Sequence, residues 1–302
     1  MENALILHLF TPMAQASPFD VNMAYDAGYD AVVAYAGMSL ADVRALTQDT
    51  IFSRGPKRVR RTGIFIGGRD LDLALDMLDV ARKAMVPPFE VSVFADPSGA
   101  FTTAAAVVAA VEKHLRGKHG AELAGRRVLV LGGTGPVGTA AATLAAQEGA
   151  TVELASHTSF DRARASGERI RARYGCSVLP VLVDDESIVK LIGAAEVVIA
   201  AAKAGAEVLS AASLAKARAL LVAADVNAVP PAGIAGVGVM DDGAPLGAAG
   251  SGKAVGIGAL AIGNIKYQVE RGLFQSMCSS EKALYIDFRH AFTKARELVK
   301  AS

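Results

Sequence analysis

The sequence predicts an α/β protein of two domains, a first α/β domain and then a Rossmann-type nucleotide domain built on a parallel sheet. Three observations carry that prediction. Strand-like and helix-like stretches alternate from residue 4 to residue 115, the pattern of a parallel α/β layer. A glycine-rich turn, Gly133-Thr134-Gly135-Pro136-Val137-Gly138, joins the apolar run that starts at Arg127 to an alanine-rich helix over 139–148. Hydrophobic residues make up 52% of the 302, which suits buried parallel strands and leaves length enough for about two domains of ordinary size.

In order, the first domain reads as strand 4–10, helix 18–27, strand 30–35, helix 40–47, strand 62–66, helix 71–84, strand 91–95 and a long helix over about 101–115. The polar, glycine-punctuated stretch 116–126 reads as the junction. A second series follows, with strand 127–131, the glycine turn and its helix, strand 151–155, helix 161–173, and strands over 178–183, 196–200 and 219–224. The chain is glycine-dense from Gly233 to Gly263, and a last helical portion spans 264–301. A terminal helix placed there is expected to cross back to the first domain across a hinged cleft. The predicted domains are therefore 1–124 completed by 264–302, and 125–263.

Lys and Arg number 31 against 30 Asp and Glu, so charge argues for neither a nucleic-acid nor a membrane partner, and the ligand belongs in a pocket. Two cysteines, Cys176 and Cys278, are too few for a disulfide framework or a zinc site and fit a reducing, cytoplasmic setting. The run from Asn3 to Phe10 is short, has no basic flank and ends at Thr11-Pro12. It reads as a first strand rather than a signal peptide or a membrane span.

The glycines fit G-x-G-x-x-G, with Gly133 for the tight turn, Gly135 leaving bare backbone for a pyrophosphate, and Gly138 for close helix–strand packing. The strand that follows one helix later supplies the βαβ context the pattern needs. An acid about twenty residues past the glycines would bind the ribose hydroxyl of NAD. Here the strand runs out as Ala155-Ser156-His157-Thr158-Ser159, without a carboxylate. Ser156 and His157, with Arg162 and Arg164, are candidates to hold the phosphate of NADP, which favours NADP slightly and leaves NAD open. The alternative is that the arginines only solvate their helix; Glu153, inside the strand, is discounted. Thr134, Pro136, Val137 and Ala201 complete the coenzyme set.

In the first domain, Ser17-Pro18-Phe19-Asp20 is a helix start, with Ser17 as N-cap, Pro18 at the first turn and Asp20 favourable to the dipole. Phe19 is either a stacking platform for a flat ligand or plain core. Asp96 and Thr102, after a later strand, are either helix caps or polar contacts to a heterocycle. The five histidines are scattered, and neither a nucleophile elbow nor a metal cluster is present in the sequence. Hydride transfer requires none of these, because the coenzyme carries the chemistry and the protein orients and desolvates.

Together, Ser17-Pro-Phe-Asp-Val-Asn22, Phe65-Ile-Gly-Gly68, Phe94-Ala-Asp-Pro-Ser-Gly99 with Thr102-Thr-Ala-Ala-Ala106, Asp225-Val-Asn-Ala-Val-Pro-Pro-Ala-Gly-Ile-Ala-Gly236 and Gly256-Ile-Gly-Ala-Leu-Ala-Ile-Gly-Asn-Ile-Lys266 resemble the NAD(P)-dependent methylene-tetrahydromethanopterin dehydrogenases of methylotrophic bacteria. The last two segments are the most specific. The resemblance is closer to the branch that accepts both coenzymes, because the strictly NADP-dependent branch carries Arg where this chain has His157. It implies a pterin domain completed by the C-terminal helix, direct hydride transfer from the pterin's methylene bridge to the nicotinamide without a metal, and a homo-oligomer, trimer or hexamer. It also implies that Phe19 packs on the pterin, that Asp20 and Lys266 border the reacting ring, and that Asn227 lies near the nicotinamide.

Glu270 stands where some relatives have His, so no role passes through that position. The chain is similar in plan to the bifunctional methylenetetrahydrofolate dehydrogenase/cyclohydrolases, but their Tyr-x-x-x-Lys is missing: the first lysine is Lys57, with Ser53 four residues before it. Lys266 is expected on the first turn of its helix, bordering a stripe of Ile262, Ile265, Val269 and Leu273, either paired with Glu270 at the surface or facing the pterin. A methylene-tetrahydrofolate dehydrogenase and a non-catalytic NADP-binding sensor are the rival readings.

Overall fold

In the computed structural model, which describes residues 4–184 and 186–301, strands and helices alternate along nearly the whole chain. Asn3 and the predicted domain ends at residues 1 and 302 lie outside the described residues. The elements are β1 (Ile6–Phe10), α1 (Pro18–Asp26), β2 (Ala31–Tyr35), α2 (Asp42–Phe52), β3 (Thr62–Ile66), α3 (Leu71–Ala84), β4 (Ser92–Ala95) and α4 (Ala100–His119). There follow β5 (Arg127–Leu131), α5 (Pro136–Gln147), β6 (Thr151–Ser156), α6 (Phe160–Tyr174), β7 (Leu179–Leu182), α7 (Ser187–Ala194), β8 (Val197–Ala200), α8 (Ala211–Leu214) and β9 (Val222–Asp225). The chain ends with β10 (Asp242–Pro245), β11 (Val255–Ile257), α9 (Ala259–Ser279), β12 (Tyr285–Ile286) and α10 (Phe288–Ala301). Two units form, 1–102 with 267–294 and 103–266 with 295–302, so the divisions fall inside α4, α9 and α10.

The first unit is a five-stranded sheet in the order β12-β4-β3-β1-β2, parallel throughout. β3 and β4 are buried along their length, while β2 is a half-exposed edge. Phe65, Phe94 and Phe274 pack with centroids 5.3 Å apart, and Tyr29 meets Phe274 edge-on. Aromatic pairs of this geometry add about 0.5–1.5 kcal/mol each beyond the area they bury. The predicted last helical portion is two helices with a strand between them. Val93 N–H donates to the Leu284 carbonyl at 2.7 Å, and Tyr285 and Ile286 pair with Val93 and Phe94. The buried Asp287 then caps α10, accepting from Arg289 N–H at 3.0 Å.

Local chemistry explains most helix ends. The Ser17 hydroxyl accepts from Asp20 N–H with Pro18 in the first turn, and Ser159 caps α6, which closes on a left-handed Gly175. α4 outruns the reading of 101–115. Gly117 does not stop it, and the chain turns only at Gly120, with φ +59°.

The second unit is a seven-stranded sheet in the order β10-β11-β9-β8-β5-β6-β7. Six strands are parallel, and β10 runs antiparallel to β11. These last two form within the glycine-dense stretch, whose small residues hide the alternation by which strands are recognised. Val128, Val130, Val198, Ile199 and Ala223 are fully or almost fully buried, consistent with a sheet covered on both faces.

Candidate active site

In the second sheet the winding reverses between β5 and β8, and in open α/β sheets ligands bind beyond the carboxyl ends of strands at such a point. The left-handed residue of the turn after β5 is Gly132, with φ +73°, rather than Gly133 as expected. A side chain on Gly132 would stand 2.6 Å from the Ala202 backbone, so the exits of β5 and β8 run against each other there. Gly133 instead clears Leu154, whose Cδ1 would lie 2.7 Å from an added Cβ. Gly138 packs as expected, with only 2.4 Å between an added Cβ and the Gly132 carbonyl oxygen. At Gly135 the nearest such atom is 3.4 Å away, which leaves its outer side open. The Thr139 hydroxyl donates to the Gly133 carbonyl at 2.9 Å and ties helix to turn. Gly135 offers no side-chain cap and Pro136 has no N–H. The first-turn amides of Val137 and Gly138 are therefore left to serve an anion.

Beyond β6, the Ser156 side chain is buried, and its hydroxyl accepts N–H bonds from Thr158 and Ser159, both at 3.3 Å. Ser156 therefore shapes the turn rather than offering its hydroxyl to a ligand. His157 is exposed and lines a cavity of about 460 Å³ together with Gly132, Asp184, Ile188, Ala202 and Lys203. Arg162, also exposed, donates to the Thr158 hydroxyl at 3.4 Å and lies over the same turn. Asp184 was not among the expected residues. In the turn just ahead of α7 its carboxylate accepts from Ser187 N–H at 2.8 Å and Glu186 N–H at 3.2 Å. The Ser187 backbone and side-chain hydrogen bonds hold it below the usual carboxylate range.

The loops after β8 and β9 are stapled together. Ala201 N–H donates to the Leu131 carbonyl at 2.8 Å. Asn227 accepts from Gly205 N–H (3.2 Å) and Val229 N–H (2.9 Å) and donates to the Pro231 carbonyl (2.8 Å). It acts as a staple, not as a side chain reaching outward. Asp225, buried at the end of β9, accepts from Asn227 N–H at 3.0 Å and Ile234 N–H at 3.1 Å. Burial pushes its carboxyl up despite those bonds.

In the first unit the winding reverses between β1 and β3. Asp20, on the first turn of α1, is 5% exposed, and its Oδ2 would stand 3.3 Å from a Cβ on Gly67, just past β3. Phe19 is 46% exposed, which sets aside the plain-core alternative within this unit. Asp96 and Thr102 are wholly buried: Asp96 accepts from Phe101 N–H (2.8 Å) and from the Thr102 hydroxyl (2.6 Å). The geometry gives both residues to the cap of α4, not to a heterocycle. Beside them, exposed Ser98 is held in the left-handed region at φ +55° and donates to the Gly68 carbonyl at 2.8 Å. Strain of this kind costs about 1–3 kcal/mol and collects at functional sites.

Lys266 is half-buried and sits two turns into α9, not on its first turn, because the helix starts at Ala259 and runs through Gly263. Ile262, Val269 and Leu273 form the buried stripe expected of that helix, with Ile265 half-buried, and Glu270 is wholly buried. Among the described residues, no group of three or more His, Cys, Asp or Glu side chains could hold a metal ion, and no helix is long and apolar enough to cross a membrane.

Residues 18–98 match the family model described as methylene-tetrahydromethanopterin dehydrogenase, N-terminal. The chain is 47% identical over 299 residues to an NAD(P)-dependent methylenetetrahydromethanopterin dehydrogenase of Methylorubrum extorquens, covering 97% of this chain and 98% of that one. It is 34% identical over 294 residues to the bifunctional protein MdtA of the same organism, with the same coverage of both chains. Among solved structures, an NAD-dependent malic enzyme of Thermotoga maritima shares the fold, with TM-score 0.56 and 13% identity over 98% of this chain and 85% of that one.

Proposed function

The chain belongs to the family of NAD(P)-dependent methylenetetrahydromethanopterin dehydrogenases, and from that premise we propose how its residues carry the reaction. It is an oxidoreductase that moves a hydride reversibly between methylene-tetrahydromethanopterin and NAD(P)+, giving the methenyl pterin. The observation that carries the coenzyme half is the glycine-rich turn at the β5/β8 reversal, open at Gly135 and closed at Gly138. The amides of Val137 and Gly138 at the start of α5 hold the pyrophosphate, and His157 and Arg162 flank the adenosine ribose. Asp225 and Asn227 position the loops after β8 and β9. When bound, the nicotinamide supplies the hydride acceptor, so no side chain has to act as acid or base in the transfer itself.

In the first unit, exposed Phe19 supplies the platform for the flat pterin, and Asp20 over Gly67 marks where polar ring edges meet the protein. Asp96 and Thr102 brace the turn that carries Ser98. Lys266 orients the reacting ring. Its ammonium disfavours a cationic methenyl product and so speeds its departure. The enzyme serves the oxidation of formaldehyde-derived one-carbon units in the cytoplasm, as a homo-oligomer.

The test is an assay of the purified protein with methylene-tetrahydromethanopterin and methylene-tetrahydrofolate, each with NAD and NADP. The methanopterin derivative should yield reduced coenzyme, and metal chelation should leave the rate unchanged. Reduction with the folate derivative alone would overturn the substrate assignment, and no reduction with either would overturn the enzyme reading.

A further inference from the structure

A coenzyme site that tells NAD from NADP usually does so with a carboxylate at the end of its second strand, where the acid receives the ribose hydroxyl and repels a phosphate. The second strand of this nucleotide unit is β6, and its exit, Ser156-His157-Thr158, carries no acid. The neighbouring strand does. β7 pairs in parallel with β6 through Ala155–Val181 and Ser156–Leu182, and the Val183 N–H donates to the Ser156 carbonyl at 2.9 Å, so the two strands leave the sheet abreast. Two residues past the paired ends, Asp184 therefore stands beside the His157–Thr158 turn, and both Asp184 and His157 line the same 460 Å³ cavity.

The other charged groups of that cavity, Lys203 and Glu207, come from the loop after β8, and β8 is separated from β6 in the sheet by β5. Of the two acids that line this cavity among the described residues, Asp184 is thus the nearer to the β6 exit in strand order. It is also fixed in place, because the amides of Glu186 and Ser187 hold one carboxylate oxygen at the start of α7. The Ser187 hydrogen bonds also hold its carboxyl below the usual carboxylate range.

We propose that Asp184 is the coenzyme-discriminating residue of this chain. Displaced by one strand, it supplies the negative charge missing from β6, accepts the ribose hydroxyl of NAD and opposes the phosphate of NADP. His157 and Arg162, on the adjoining turn, pull the other way. A carboxylate past β7, opposed by His157 and Arg162 past β6, leaves the chain poised between the two coenzymes. This inference rests on the coenzyme site proposed above and adds to it the residue that sets the choice.

Asp184→Asn tests it while keeping a side-chain oxygen that can accept from the Glu186 and Ser187 amides. Asp184→Ser, which also keeps an accepting oxygen, is the second variant should the first fold poorly. Titration calorimetry with adenosine 2′,5′-bisphosphate and with AMP reads the site apart from catalysis, and kcat/KM for each coenzyme reads it during turnover. Binding of the bisphosphate should tighten about tenfold and the NADP:NAD ratio of kcat/KM should rise by about the same factor, the scale for one charged contact. Unchanged or weaker bisphosphate binding in both variants would overturn the assignment of Asp184. If the unmodified protein bound neither nucleotide, the coenzyme site itself would fall, and the assignment of Asp184 with it.

Discussion

Gly135 and Gly138 lie three residues apart in one turn, yet alanine at each should fail in a different way. An added Cβ at Gly138 would stand 2.4 Å from the Gly132 carbonyl oxygen and 2.8 Å from Gly133 Cα, both backbone atoms. Ordinary contact requires about 3.4 Å or more, so strand exit and helix must separate by the better part of an ångström, which costs about 1–3 kcal/mol as overpacking. Gly132 has little room to retreat, because the backbone of Ala201 and Ala202 lies directly behind it. At Gly135 the nearest contact would be 3.4 Å and the backbone, at φ −81°, suits alanine. The fold should lose there only the small preference for glycine over alanine at an N-cap, under about 1 kcal/mol. What Gly135→Ala does fill is the open side of the turn where the pyrophosphate is proposed to lie.

Gly138→Ala should therefore lower the melting temperature by about 2–12 °C, at about 2–4 °C per kcal/mol, and weaken NAD and NADP together. Gly135→Ala should melt within about 4 °C of the unmodified protein while kcat/KM for both coenzymes falls at least tenfold, about 1.4 kcal/mol. Differential scanning fluorimetry and initial rates give both numbers. A Gly135→Ala enzyme with full coenzyme efficiency would refute the placement of the pyrophosphate.

Lys266→Met keeps the apolar stem and removes the charge; kcat/KM for the pterin should fall at least tenfold, about 1.4 kcal/mol, with coenzyme affinity and melting temperature nearly constant, and near-normal kinetics would return Lys266 to a solvated role. Burial pushes the Asp287 carboxyl up, but hydrogen bonds from His290 and Arg289 outweigh it and bring the group down to about 2. Because the folded value lies below the ordinary 3.8, this group stabilises the fold above pH of about 4 and loses that contribution as pH falls through about 2. With exposed Arg289 and His290 partly screened by solvent, Asp287→Asn should cost about 1–2 kcal/mol at pH 7 and almost nothing near pH 2, and urea titrations showing a pH-independent difference would contradict this. Asn227→Ala leaves the Gly205 and Val229 amides without their acceptor, at about 1–3 kcal/mol for each one left dry. Amide exchange should then quicken in residues 201–209 and 226–236, and unchanged protection there would show that Asn227 is not the staple.

The parallel layers and the glycine turn could be read from the sequence because their physics is local: alternating apolar runs, a capping Ser17, and glycines at fixed offsets. Strand order, and with it both reversal points, depends on pairings between distant segments, such as Tyr285–Val93, that no local pattern encodes. The same limit explains the residues that changed role. Ser156, Asp96 and Asn227 stand at or just past strand ends and Thr102 in the helix after one, but what each hydroxyl, carboxylate or amide bonds to is set by loops that fold back on it. Asp184 went unnoticed because a Ser187 three residues on makes it look like any helix cap. Only the pairing of β7 with β6 brings it beside His157. Lys266 lies between one and two turns further into its helix than expected, because Gly263 reads as a boundary yet sits inside α9.

The proposed hydride transfer is direct, from the pterin to the nicotinamide. Methylene-tetrahydromethanopterin deuterated at its methylene bridge, turned over once with unlabelled NADP, tests it by mass spectrometry of the products. One deuterium should appear on the reduced coenzyme and none should be lost to water. Unlabelled reduced coenzyme with deuterium in the solvent would contradict it.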